Sequence, residues 1–526
     1  MTIKRLILIA LTIVALYFTG VSLYESLEQP QIQSRLELYQ TDILLNAAQW
    51  QPAVSQEASV SAARNTIVGD KPLEAATQQY QEARESAQVN LEKAKSQLAK
   101  AKSQPVAVPV PPKPQTRFSP VPETSRPQQQ QQLQQSINQL EKLTAELDLR
   151  IGILQAQQGQ TAQAIKTWTG LEHSTSAENQ VSLVETATVL TGLWSNPARL
   201  LPSAQELIQK NLDGWFRYQA LARLYELQQR SDALESLQAA EQKVAEQALL
   251  KLVTISSIPT LGSLFGVGLL IFLVSQRLLQ GKQSLLAQNG DVAWVTPWNG
   301  ETVWQVFIFG FFLIGQILTP LFLLQLKPAG ADMRTQAFYI LVSYLFLALG
   351  TFGVLYLSVK PFFPLPEGWF RFDWRGSWLL WGLGGYCVAL PLVIAVSLLN
   401  QQIWQGEGGS NPLLPLTLES QDQVARVIFF LTAAVAAPLF EEFLFRGFLL
   451  PSLTRYLPVR GAIVTSALLF AIAHLSLSEI LPLTVLGIVL GVVYTRSRNL
   501  LSSMLIHSLW NSGTLLSLFV LGSGSS

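Results

Sequence analysis

Hydrophobic positions fall into two regimes along the chain. Residues 6–23 (LILIALTIVALYFTGVSL) form one apolar run behind Lys4 and Arg5. Residues 25–250 are polar, with apolar positions only at helical spacing. From Leu252 onward, apolar runs return at about 253–275, 302–326, 335–359, 376–399, 424–446, 461–476, 480–495 and 501–521. A helix of about 20 apolar residues crosses a bilayer, so these runs predict about eight C-terminal spans, the last few short or tilted. The first run predicts an N-terminal membrane anchor over 1–24. No A-x-A site follows it, so it is expected to stay uncleaved.

The polar regime has its own periodicity. Tyr80, Ala83, Ala87, Leu91, Ala94, Leu98 and Ala101 recur at spacings of three and four, one stripe of an amphipathic, coiled-coil-like helix within 25–104. A Pro/Gln-rich stretch, 105–132, reads as an extended linker, because proline fixes φ and removes donors. Leu133, Ile137, Leu140, Leu147, Ile151 and Leu154 then form a second helical stripe. Gly152, Gly159, Ala164 and Trp168 sit at spacings resembling a tetratricopeptide repeat, with a degenerate copy around 218–237. An ordinary helical hairpin reads equally well. The expected organisation is a soluble helical, TPR-like module over 133–250, leading transmembrane helices over 251–375, and a bundle core over 376–526.

Composition agrees with a membrane protein. Charged residues make up 13% of the 526, against about 25% in globular chains. Lys and Arg number 36 against 35 Asp and Glu, so no basic field exists for nucleic acid. One cysteine, Cys387, excludes an intrachain disulfide and any cysteine-built zinc site. Loop charges predict a direction of insertion. Arg277, Lys282, Lys360, Arg371, Arg375, Arg455, Arg460, Arg496 and Arg498 fall in alternate loops, whereas 400–423 holds Glu407, Glu419 and Asp422 with no Lys or Arg. Lys327, Arg334 and Arg426 are the basic residues expected on the far side. The positive-inside rule then places the N-terminus in the cytoplasm and residues 25–250 across the membrane.

Ionisable groups within spans are costly and usually functional. Phe440-Glu441-Glu442-Phe443-Leu444-Phe445-Arg446 closes the 424–446 run. Glu442 and Arg446 are i,i+4 on one helix face and can pair, which leaves Glu441 for other work, such as a general base. His474 sits in an apolar run. His507 and Asn511 are again i,i+4, two donors aimed the same way, as an oxyanion site requires. The 424–446 helix is expected to continue past Gly447, which would bring Glu441 toward mid-membrane and nearer the depth of His474.

These three clusters, EExxxR (Glu441, Glu442, Arg446), FxxxH (Phe470, His474) and HxxxN (His507, Asn511), resemble in order and spacing the CPBP family of intramembrane proteases. That family is also called ABI and includes the type II CAAX prenyl endopeptidases; the likeness covers roughly 376–521. The resemblance implies an all-α, polytopic bundle that hydrolyses peptide bonds. Glu441 and His474 would hold and activate water, Glu442 and Arg446 would organise the site and the substrate backbone, and His507 with Asn511 would form the oxyanion hole. Phe470 would contact substrate. The implied partners are a protein or peptide substrate, the lipid bilayer, and a protein bound by the soluble arm. The long polar half departs from the minimal family pattern.

A glutamate mechanism without cofactor is the first expectation. Zinc on Glu441, His474 and His507 is the runner-up, though there is no HExxH and the histidines lie on different helices. Ser508 and Ser512 flank the third motif without any sign of activation. The alternative from another class is an inactive scaffold or immunity-type protein acting through its arm. A transporter could also use intramembrane Glu, Arg and His, but no inverted repeat is visible. The C-terminus, GSGSS, has no prenylation cysteine.

Overall fold

The computed structural model describes residues 2–27, 29, 31–51, 68–103, 126–174, 181–323 and 332–522. These residues form 17 helices and no strand. The chain divides into two compact units, Met1–Arg35 with Thr254–Ser523, and Leu36–Val253.

Helix α1 is Ile3–Ser26. The second unit then holds α2 (Ile32–Ala48), α3 (Pro72–Ser103), α4 (Arg126–Gln157), α5 (Thr161–Ser174), α6 (Val181–Trp194), α7 (Ala204–Asn211), α8 (Gly214–Leu227) and the start of α9 (Ser231–Gln280). Helices α3 and α4 pair antiparallel: Leu91, Ala94 and Leu98 pack on Ile137, while Arg84–Asp148 and Lys95–Glu141 flank the seam at 2.9 Å each. Residues 105–125 of the expected linker lie outside the described ones. Its glutamine run does not extend the linker but belongs to α4, because glutamine favours helix and Pro127 sits in the first turn, where its missing N–H has no partner to lose. Helix α5 folds back on α4 through Trp168. Its Nε1 donates to Leu149 O (3.1 Å), and a Cβ added at Gly152 would fall 2.1 Å from that nitrogen. Only glycine permits this approach.

Between these hairpins lies a partly buried polar network. The Tyr80 hydroxyl donates to Asp42 Oδ1 (2.5 Å), and Arg150 pairs with Asp213 (2.9 Å) across the ring of Phe216. Burial pushes the Asp42 carboxyl up to about 6, opposed by Arg150 and Tyr80.

The first unit contains the membrane-crossing elements. After α9 come α10 (Gly300–Leu323), α11 (Met333–Val359), α12 (Trp378–Trp404), the short α13 (Leu413–Glu419), α14 (Gln423–Leu453), α15 (Val459–Ile472), α16 (Leu477–Ser497) and α17 (Leu500–Gly522). Among the described residues eight helices are long and apolar enough to span a bilayer: α1, α9, α10, α11, α12, α14, α16 and α17. Their outer faces carry exposed Leu264, Phe265, Leu349, Leu380 and Leu398, as lipid-facing surfaces do. The protein is an integral, multi-pass membrane protein.

One expected span is corrected. The apolar run 461–476 holds a helix of only 14 residues, α15, about 21 Å long against a hydrocarbon core of about 30 Å. It stops at Ile472, and a turn with Leu475 at φ 56 follows. Helix α14 does continue past Gly447, as its pattern predicted. The depths therefore agree: Glu441 lies about 18 Å from the Leu453 end of α14, and His474 about 22 Å from the adjoining start of α15.

Three stretches within spans are π-helical: Val306–Leu318, Leu431–Ala436 and Phe443–Leu449. Such wide turns shift the backbone ladder by one residue and turn carbonyls toward neighbouring side chains. Two of them flank the Glu441–Glu442 pair.

The Asp42 network yields a pH prediction. A carboxyl with a raised folded pKa contributes stability that is full below its unfolded pKa near 3.8 and lost as pH rises through about 6. The residue should cost the second unit up to about 3 kcal/mol between those limits. Asp42→Asn should flatten that dependence in melts of the full chain followed by tryptophan fluorescence at pH 4.5 to 7. An unchanged slope would remove Asp42 as its source.

Candidate active site

Glu442 and Arg446 form the centre of the site. Both are fully buried, and Arg446 Nη1 lies 2.7 Å from Glu442 Oε1. The i,i+4 spacing on α14 brings them together, and the π turn at 443–449 carries the arginine. Arg446 Nη2 also donates to Gly487 O on α16 (3.2 Å). Gly487 has no side chain because a Cβ there would lie 2.9 Å from that of Ala467 and 3.2 Å from Arg446 Nη2.

His507 bridges the two carboxylates. Its Nδ1 lies 2.9 Å from Glu442 Oε1 and its Nε2 lies 3.9 Å from Glu441 Oε2. Glu442 therefore takes Arg446 and His507 on one oxygen, and Glu441 is reached by the far side of the same ring. Glu441 differs from its neighbour in access. Its side chain is 17% exposed, Oε1 accepts from the Tyr344 hydroxyl on α11 (3.0 Å), and Oε2 accepts no hydrogen bond from the described residues. Glu442 is held through Oε1 by Arg446 and His507, each carboxylate leaves a buried Oε2 without a hydrogen bond among the described residues, and Glu441 differs in being partly exposed.

Phe470 forms the floor. It is fully buried on α15, so it serves as a wall beneath the charged groups and presents no open surface in this arrangement. The Arg446 guanidinium lies over its ring at 4.4 Å, and the His474 and His507 rings meet it edge-on at 4.9 and 5.7 Å. Both histidines are thus ordered against one aromatic plate.

His474 lies in the turn after α15, half-buried, with Nδ1 2.9 Å from Phe470 O. No hydrogen bond or ion pair joins it to Glu441 among the described residues. It interacts electrostatically with Glu479 at the start of α16, whose Oε1 accepts the Asn411 N–H (2.7 Å). Asn511, one turn beyond His507, donates through Nδ2 to Ala433 O (2.7 Å), and Ser508 Oγ donates to Ala434 O (2.6 Å). Both acceptors belong to the π turn at 431–436, so α17 is held to α14 by carbonyls that this turn exposes. Ser508 spends its proton on that carbonyl and is not poised as a nucleophile.

Sequence reasoning did not reach Tyr344 or Gly487. An intramembrane tyrosine needs a partner for its hydroxyl, and that was the available signal. No three His, Cys, Asp or Glu side chains among the described residues gather so as to hold a metal ion. Nδ1 of His474 lies against Phe470 O and Nδ1 of His507 against Glu442 Oε1, both at 2.9 Å.

Beside this site α11, α14 and the 363–372 segment line a partly open apolar cavity of about 480 Å³. Phe352, Tyr356, Phe363, Phe370, Leu439 and Phe443 are among its walls. Phe370 stacks on Phe443 with ring centres 4.4 Å apart. A pocket of this size and lining suits hydrocarbon or bulky apolar side chains.

With this geometry in place, comparisons with known proteins identify the region. Residues 423–513, which span α14 to α17, match the family described as type II CAAX prenyl endopeptidase Rce1-like. The UPF0177 protein YxdF of Lactococcus lactis subsp. lactis is 29% identical over 139 residues, covering 26% of this chain and 72% of that protein. No solved structure matches. The chain therefore carries an Rce1-like domain, that of a membrane endopeptidase family, within a larger multi-pass protein.

The buried pair yields a stability prediction. Glu442→Gln would leave Arg446 charged, without its counter-ion and away from water, a change that typically costs about 3–5 kcal/mol. The variant should melt well below wild type in detergent, whereas Glu441→Gln, at the more open position, should melt close to wild type. Equal melting of the two would show that the pair is not the structural centre.

Proposed function

We propose that the protein is an intramembrane endopeptidase of glutamate mechanism. The supporting observation is the asymmetry of the two carboxylates: Glu442 is fully buried and held through Oε1 by Arg446 and His507, while the Glu441 side chain beside them is 17% exposed and pairs with neither cation at hydrogen-bond distance. Glu441 acts as general base. It takes a proton from water, and the hydroxide attacks the peptide carbonyl carbon. The resulting oxyanion accepts hydrogen bonds from Asn511 and from His507 Nε2, with His507 held by Glu442 through Nδ1. For that role His507 carries both ring protons. Collapse of the tetrahedral intermediate breaks the C–N bond, and the proton held by Glu441 passes to the leaving amine. His474 completes the water site from the turn facing α14, and Arg446 fixes Glu442 and, with it, the imidazole. No step requires a metal.

The adjoining apolar cavity supports a substrate with a large apolar group near the scissile bond, and the Rce1-like match makes lipid-modified peptides the first class to test. The loop charges support a cytoplasmic N-terminus with the 36–253 helices on the opposite side, where they would recruit a substrate or partner protein.

Glu441→Gln keeps shape and removes the base, so it should abolish cleavage of reporter peptides, prenylated ones included, by full-length protein in proteoliposomes. Wild-type cleavage should persist in chelator. Turnover by Glu441→Gln at the wild-type rate would refute the role. Asn511→Ala should lower kcat by about 10²–10³ with little change in KM, as for loss of an oxyanion donor. An effect confined to KM would make Asn511 a substrate contact.

A further inference from the structure

The turn that carries His474 is held by a part of the chain more than four hundred residues away. Helix α16 begins at Leu477, and the first N–H groups of any helix lack partners within it. Ser476 occupies the capping position but makes no capping bond with its side chain. The hydroxyl of Ser26, the last residue of α1, takes its place: Leu477 N–H donates to Ser26 Oγ at 3.2 Å. Ser478 N–H donates to Gly408 O (3.1 Å), and Ser478 Oγ to Gly409 O (2.5 Å). Glu479 accepts the Asn411 N–H, and Asn400 Nδ2 donates to Ser478 O (2.6 Å).

The 405–411 loop between these partners is tied in turn to the N-terminal segment. Gly409 N–H donates to Gln29 O (2.9 Å), Gln31 N–H to Gly406 O (2.8 Å), and the Gln31 side-chain amide to Glu407 O. Gly406, Gly408 and Gly409 all have positive φ, a backbone path that L side chains resist. A Cβ on Gly409 would also come within 3.2 Å of that of Ser26. Ser26, Gly408, Gly409, Ser476 and Ser478 are all buried, so these bonds are not readily exchanged for bonds to water.

At its other end α1 also makes polar contacts with another span. Lys4 and Arg5 pair with Glu301 at 3.2 and 2.8 Å, and Trp304 Nε1 donates to Thr12 Oγ1 (2.8 Å). An apolar helix serving only as an anchor has no need of a hydroxyl cap for another span.

We propose that α1, with Gln29 and Gln31 beyond it, forms a brace that positions the His474 turn, with Ser26 and Gln31 as positioning residues for the hydrolytic site. The kinetic part of this inference rests on the endopeptidase reading above; the mechanical part does not. In the braced state the 474–479 turn holds His474 against Phe470 and at the depth of Glu441. Without the brace the start of α16 loses its cap, and His474 samples positions away from the water site.

The test uses full-length protein in nanodiscs, comparing wild type, Ser26→Ala and Gln31→Ala by hydrogen–deuterium exchange and by peptide cleavage, with Glu441→Gln as the inactive control. Exchange over 474–479 should rise about tenfold or more in Ser26→Ala while 441–447 stays protected. In the same variant kcat should fall about tenfold at unchanged KM and unchanged melting temperature. Gln31→Ala should show both effects more weakly, and it carries the test if Ser26→Ala does not fold. Unchanged exchange over 474–479 would overturn the brace. So would raised exchange with wild-type kcat, or loosening of 441–447 to the same extent, which would signal general destabilisation. A wild type without activity, or an active Glu441→Gln, would instead refute the endopeptidase reading and leave the exchange result to decide the brace.

Discussion

A charge pair removed from water governs the membrane unit. Glu442 and Arg446 are both fully buried, and neither could be tolerated there without the other. A second donor of the arginine and a second lone pair of the shared oxygen are also used, so the pair recruits Gly487 O from α16 and His507 from α17. Three helices are thereby set in register by one buried interaction. Phe470 beneath the guanidinium adds α15 to the set. The arrangement contributes specificity of packing more than net stability, since desolvation offsets most of the attraction.

The same constraint explains where irregular backbone is tolerated. In hydrocarbon every carbonyl needs a donor, so a π turn can persist only beside side chains that supply one. Ser508 and Asn511 do so for the turn at 431–436, and Ser466 Oγ donates to Phe445 O (3.1 Å) in the turn at 443–449. The polar residues of α17 thus hold the helix that bears the two glutamates. Removing them would alter the spacing of the site as well as its chemistry.

Much of this was legible in the chain, though unevenly. The helical class and most spans follow from long apolar runs, a signal that needs no tertiary information. The Glu442–Arg446 pair was legible because both partners lie on one helix, four residues apart. The bridge from His507 to both carboxylates was not, because it depends on how two separate helices are rotated against each other. Tyr344 was missed for the same reason: its partner is 97 residues away. The apolar run 461–476 was over-read as a span, since hydropathy does not distinguish a helix end at Ile472 from its continuation, and His474 alone hinted at the break. The hairpins of the second unit were visible as stripes, whereas the Asp42–Tyr80 contact reaches outside them and has no periodic signature.

The brevity of α15 has a consequence for the surrounding lipid. Val464, Leu468 and Leu469 are exposed on a helix of 14 residues, so this side of the bundle offers the bilayer an apolar belt about 21 Å tall, where the neighbouring spans offer about 30 Å or more. Acyl chains meeting that step must shorten or tilt, and the membrane is thinned locally at the flank that bears the His474 turn. Thinning brings water and headgroups closer to Glu441 without opening a channel through the bundle. Bilayer thickness is in this way an external variable coupled to how readily the buried carboxylates meet solvent.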